Sequence, residues 1–142
     1  SFYKPAGRYT QHPSYTDLKS GDIHMDEVLK RLRASPQWND MLIVLTYDEN
    51  GGYWDHVPPP SGPGWGDRWG PGTRVPTLIV SPFAKKGFVD HIQYDTTSVL
   101  RFITRRFALP MLPGLRARDE ALAANGSQSM GDLTNALDLS QR

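Results

Sequence analysis

Apolar positions recur along this chain with two different spacings. Met25, Val28, Leu29 and Leu32 stand at i, i+3, i+4 and i+7, which puts them on one stripe of a helix. The spacing predicts a helix over 22–33, with Ser20 or Asp22 as its cap. Asp26 and Glu27 fall in its N-terminal half, and Lys30, Arg31 and Arg33 in its last turn, as the helix dipole favours. Ser35-Pro36 ends it, because the residue before a proline is kept out of the helical region. His24 lies just off the stripe and reads as structural or solvated. Val99, Leu100, Ile103 and Phe107 make a second apolar face over 96–107, capped by Asp95 or Thr96. Arg101, Arg105 and Arg106 lie largely opposite, and read as a solvated helix face rather than an anion site. Pro110 and Pro113-Gly114 end this element, and 117–124 adds a short Ala/Leu helix.

The other apolar runs have no helical period. Residues 41–46 and 75–80 read as short buried strands, with Pro76 confined to the start or edge of the second. Phe88-Val89 reads as a further short strand. Helix, short turn and strand in succession predict an αβ unit, so the fold class is α/β, with mainly parallel strands and flanking helices. Residues 1–20 are polar and broken by Pro5, Gly7 and Pro13, as a loop would be. The tail from Asn125 is weakly patterned.

Between the strands lies a long Gly/Pro-rich loop. Residues 51–72 hold 12 of the 25 Gly and Pro residues. A loop of this length in a compact domain is usually functional or disordered. Trp54, Trp65 and Trp69 argue for packing, since large rings in an ordered loop find partners. Asp67, Arg68 and Arg74 read as loop and rim charges.

Composition narrows the picture. At 142 residues the chain is long enough for one domain with a core. Its net charge of +1 gives no global field toward nucleic acid or an anionic membrane. The absence of cysteine removes disulfides and thiolate metal sites. No run approaches the roughly 20 apolar residues of a membrane span.

The chemistry gathers at the end of the first strand. Asp48 and Glu49 come directly after it, then Gly51-Gly52, Asp55-His56 and Pro58-Pro59-Pro60. In open α/β sheets ligands bind outside the carboxyl ends of strands. The carboxylate pair reads either as solvated loop acids or as oxygen ligands for a hard divalent ion. An EF-hand is excluded, because its sixth and twelfth positions would hold Tyr53 and Pro59. The run Gly62–Gly66 is not a dinucleotide fingerprint, since no strand leads directly into it and no helix comes after it. No Gly-x-Ser-x-Gly elbow supports an esterase. His12, in Gln11-His12-Pro13-Ser14, is a lone His in a polar loop and by pattern alone reads as solvated.

The stretch Thr46-Tyr47-Asp48-Glu49-Asn50-Gly51-Gly52-Tyr53-Trp54-Asp55-His56-Val57-Pro58-Pro59-Pro60 resembles the signature of a phosphoesterase family. That family joins bacterial acid phosphatases with bacterial and plant phospholipases C. Gln11–Ser14 with Asp17 and Gly21 resembles its upstream His-Pro motif. Arg74–Pro82 resembles its second core strand. Lys85–His91 and Gln93–Phe102 resemble the family's segments beyond that strand, in wording nearest the acid phosphatase branch. The resemblance spans about residues 1 to 115. It implies a partial alkaline-phosphatase-like sandwich, with 116–142 as a weakly structured tail.

The resemblance also implies metal-assisted hydrolysis of phosphate esters through a Ser or Thr nucleophile. Asp48 and Glu49 would be ligands of a divalent metal ion, and His12 an active-site imidazole. Asp55, His56 and His91 receive no secure role. The family's Glu-Asn ligand motif and its nucleophile have no counterpart here. The expectation is therefore a C-terminal portion with half a metal site, partnered by an N-terminal part of the same enzyme and acting on a phosphate-ester substrate. Phospholipase C action on phospholipid head groups is one alternative, and a non-catalytic module lacking the nucleophile is another. Family resemblance places such an enzyme in the periplasm or outside the cell.

Overall fold

A computed structural model describes residues 1–62, 65 and 71–140. Trp69, Asp67, Arg68 and most of the Gly62–Gly66 run lie outside the described residues. The first helix, α1, spans Leu18–Arg33 and begins earlier than its apolar stripe. Its cap is Asp17, whose carboxylate accepts from the Ser20 amide at 2.7 Å and from the Ser20 hydroxyl at 3.0 Å. Such a cap is worth about 1 kcal/mol, enough to draw the polar turn Leu18–Gly21 into the helix.

Two strands come next, β1 at Ile43–Thr46 and β2 at Thr77–Val80. They pair antiparallel, with Ile43 opposite Val80 and Thr46 opposite Thr77. This corrects the mainly parallel arrangement expected from the sequence. A parallel pair needs a crossover connection, usually a helix, and residues 47–76 show no helical period. The described residues instead form a mixed fold of three α-helices and one antiparallel pair. The pair is pinned at both ends. The Thr46 and Thr77 hydroxyls lie 2.8 Å apart at one, and Ser81 Oγ donates to the Met41 carbonyl at 2.7 Å at the other. Phe88 and Val89 are not a strand; they lie exposed in an irregular segment.

Helix α2 spans Thr97–Arg106, close to its periodicity. Asp95 takes the Thr97 amide at 2.8 Å just ahead of it. Helix α3 spans Pro113–Ala124. Pro113 therefore opens an element rather than closing the one before, since a first-turn proline gives up an amide that has no helical partner anyway.

The core sits on this C-terminal side. Leu115, Leu122, Met130 and Leu133 are buried, and Trp65 returns from the long loop to pack with Leu122 and Met130. The segment after Asn125 belongs to this unit. Ala84 bridges Leu137, and Asn135 Nδ2 donates to Asp90 at 2.8 Å. Tyr94 Oη donates to the same carboxylate at 2.6 Å. Arg101, expected on a solvated face, is in fact buried. It forms a fork on Asp119, with distances of 2.8 and 2.7 Å.

Candidate active site

Strand β1 delivers Tyr47, Asp48 and Glu49 to the edge of the pair, and the turn behind them fixes their backbone. Gly51 and Gly52 take φ of 61° and 85°, conformations that a side chain would strain. This lets the Gly51 amide donate to Glu49 Oε2 at 2.7 Å and the Gly52 amide to Asn50 Oδ1 at 2.9 Å. Asn50 Nδ2 reaches across the long loop to Thr73 Oγ1 at 2.8 Å. Asp55, further along, is gripped by Arg74, whose Nη2 donates at 3.0 Å and whose Nε makes a second bond. That guanidinium holds the Asp55 carboxyl down to about 2. Arg74 thus ties the segment ahead of β2 to the signature loop rather than standing free on its rim.

The His-Pro segment lies against this turn. Tyr47 Oη donates to Gln11 Oε1, and Gln11 Nε2 donates to the Leu18 carbonyl at 3.0 Å. One glutamine therefore joins the strand end to the first turn of α1. Gly21 is buried beneath it, and an added Cβ there would come within 2.2 Å of Gln11 Cγ. Pro13 borders Gly51, with 3.5 Å between its Cδ and the position a Cβ would take. The His12 ring tilts against Tyr15 with centroids 4.8 Å apart. Its Nδ1 donates to the Pro13 carbonyl at 2.5 Å. A carbonyl only accepts, so the ring proton sits on Nδ1 and Nε2 is left as the acceptor.

His12 and Asp48–Glu49 thus stand on neighbouring segments of one surface. Asp48 is exposed and pairs with Lys4, Nζ to Oδ2 at 2.8 Å. The ammonium beside it holds the Asp48 carboxyl below its ordinary value. His56 and His91 are exposed. His24 is part of an aromatic stack, 4.4 Å from the Tyr9 ring and 2.6 Å from Tyr3 Oη. Among the described residues no three His, Cys, Asp or Glu side chains converge as a metal cage. A cavity of about 550 Å3 opens elsewhere, between α2 and Met130–Asp132. Its two arginines are already paired, Arg101 with Asp119 and Arg105 with Asp132.

Lys4 and the Gln11–Tyr47 tie escape sequence reading. They join residues 44 and 36 positions apart, and no periodic pattern registers such a contact.

Among the described residues no helix is long and apolar enough to cross a membrane. Comparison with known proteins adds the family. Non-specific phospholipase C6 of Arabidopsis thaliana is 39% identical over 120 residues, covering 69% of this chain and 22% of that protein. Non-specific phospholipase C4 of the same plant is 42% identical over 118 residues, with the same coverage of 69% and 22%. Phospholipase C B of Mycobacterium tuberculosis (strain ATCC 25618 / H37Rv) is 31% identical over 156 residues, covering 95% of this chain and 28% of its own length. The chain thus spans about a fifth to just over a quarter of these curated relatives. With the model of the Phosphoesterase family matching residues 1–110, this chain belongs to that family.

Proposed function

We propose that this chain carries part of the active site of a phosphoric ester hydrolase with phospholipase C action, cleaving phospholipid head groups with the help of a divalent ion. The observation that carries the reading is the family match, together with relatives named as phospholipases C from plants and bacteria. Those names move phospholipase C ahead of the acid phosphatase that the wording of Lys85–Phe102 favours. The fold of the whole enzyme is read as the alkaline-phosphatase-like sandwich that the resemblance implies.

The residues present fit a hard cation. Asp48 and Glu49 offer carboxylate oxygens, and Asp48 already draws an ammonium to within 2.8 Å. When bound, a divalent ion polarises phosphoryl oxygens and lowers the pKa of a nucleophile. Asp48 and Glu49 would hold it at the strand end and offset its charge. The Gly51 amide bond fixes one Glu49 oxygen, which leaves the other for a ligand. His12 is exposed and its Nδ1 bond to Pro13 does not engage Nε2, which in the protonated ring can donate to the leaving oxygen. The remaining ligands and the nucleophile come from outside residues 1–142, consistent with relatives several times longer.

The test is a fusion of this chain behind the N-terminal region of Arabidopsis phospholipase C6 that it does not match. Phosphocholine release from phosphatidylcholine is measured against p-nitrophenol release from p-nitrophenyl phosphate, with divalent ion added. Phosphatidylcholine should be the better substrate, and Asp48→Ala should cost on the order of 100-fold or more, as losing one charge-stabilising group does. An Asp48→Ala fusion of undiminished activity removes the ligand role. Preference for the monoester returns the reading to acid phosphatase.

A further inference from the structure

We propose that Lys4 is a built-in counter-ion of the Asp48–Glu49 pair, holding Asp48 when no divalent ion is bound and competing with that ion for the same oxygen. The inference rests on the reading of Asp48 and Glu49 as ligands, and deepens it.

The placement of Lys4 is constructed. Tyr3 Oη bonds His24 Nε2 on α1 at 2.6 Å, and Tyr9 stacks on the same imidazole. The chain on both sides of Lys4 is thereby tied to α1, and Pro5 stiffens the step between, its φ being fixed by the ring. From this anchor the side chain crosses to the end of β1, where Nζ meets Asp48 Oδ2 at 2.8 Å. Its ammonium also feels the charge of Glu49. Arg74 is taken by Asp55.

Two neighbouring carboxylates repel each other, so one positive charge beside them steadies the empty pair. A divalent ion on Asp48 would face that ammonium within a few ångströms, and like charges so close cannot share one oxygen. Lys4 must then swing out. Its stem is flexible and the side chain is 78% exposed, so nothing but the pair itself opposes the move. An exposed ion pair of this kind is weak. Its competition therefore sets the ion's affinity within a factor of about two to five.

Manganese is the probe. Free Mn2+ is followed by electron paramagnetic resonance as it is titrated into the phospholipase C6 fusion, which supplies the remaining ligands, and into its Lys4→Met and Lys4→Glu forms, with circular dichroism confirming that each is folded. Lys4→Met should tighten binding about two- to fivefold, and Lys4→Glu should tighten it more by adding an oxygen. In an Asp48→Asn background, Lys4→Met should change nothing. If wild type binds Mn2+ and Lys4→Met leaves the affinity equal or weaker, the counter-ion role is overturned while the ligand reading stands. If none of the variants binds Mn2+, or if binding survives Asp48→Asn undiminished, the ligand reading fails and the inference falls with it.

Discussion

Around Leu122 the chain closes over itself; around Asp48 it does not. Leu122 is fully buried, Leu115, Met130 and Leu133 nearly so, and the Arg101–Asp119 fork is covered by the same helices. At the other end, no residue of β1 or β2 is buried, and Leu78 is 58% exposed. The first region is held by apolar area removed from water. The second is held by a relay of directed bonds, from Leu18 through Gln11 to Tyr47, from Gly51 to Glu49, and from Arg74 to Asp55. Hydrogen bonds and exposed ion pairs contribute about 1 kcal/mol or less each, whereas burying one large apolar side chain contributes about 1.5–3 kcal/mol. The proposed chemistry thus stands on the weaker region, where groups can move and meet a ligand.

The largest expected effect tests whether these regions are separable. Leu122→Ala empties the centre of the cluster formed with Trp65 and Met130. It should lower stability by about 2–5 kcal/mol, read as a shift of the urea midpoint at unchanged slope. Below that midpoint Mn2+ affinity should be untouched, because the Asp48 turn is held by its own relay of bonds and lies outside that cluster. Loss of affinity in the still-folded variant would show that core and site behave as one unit.

Legibility in the sequence divides along the same line. Helix α2 is legible because its apolar period and its length agree, 96–107 expected against Thr97–Arg106 observed. The start of α1 is not, because its first turn, Leu18 to Gly21, lies outside the apolar stripe and depends on the Asp17 cap. Pro113 misleads because proline both ends and begins helices, and only the chain after it distinguishes the two. Strand direction is hidden because apolar runs carry none. The absence of helical period across 47–76 is the available signal against a parallel pair. At the candidate site, the roles of Asp48, Glu49 and His12 rest on the family resemblance, and the structure brings their segments together through Gln11, Tyr47 and Pro13. That relay is invisible in the sequence because its partners lie far apart along the chain.

A smaller change sharpens the comparison from the site's side. Gly21→Ala adds a methyl 2.2 Å from Gln11 Cγ and 3.1 Å from the Tyr9 carbonyl oxygen. Alanine gains up to about 1 kcal/mol in helix propensity, and overpacking costs about 1–3 kcal/mol. Overpacking should win here, because Gln11 is held at both ends of its amide and Tyr9 offers backbone. The net loss should be about 1 kcal/mol, well below that of Leu122→Ala. Its signature is local: faster hydrogen exchange at Gln11 and His12 with the α3 amides unchanged. Stabilisation by the substitution, with no change at His12, would mean that the glycine does not set the approach of the His-Pro segment.

The smallest effect lies in the acid limb, and it isolates the second region. Arg74 holds the Asp55 carboxyl down to about 2, from an ordinary value of 3.8. A carboxyl whose pKa is lowered by folding contributes stability that is complete above its unfolded value and is lost as pH falls through the folded one. Wild type should therefore exceed Asp55→Asn in melting temperature at neutral pH. The gap should stay constant down to about pH 4 and close as pH falls toward about 2. High salt should narrow it throughout, since the pair is open to solvent on the Arg74 side. In Leu122→Ala the same gap should appear at the same pH, displaced only in temperature. A gap that persists undiminished at pH 2 would mean that Asp55 works through its shape rather than its charge, and that the loop is held by packing after all.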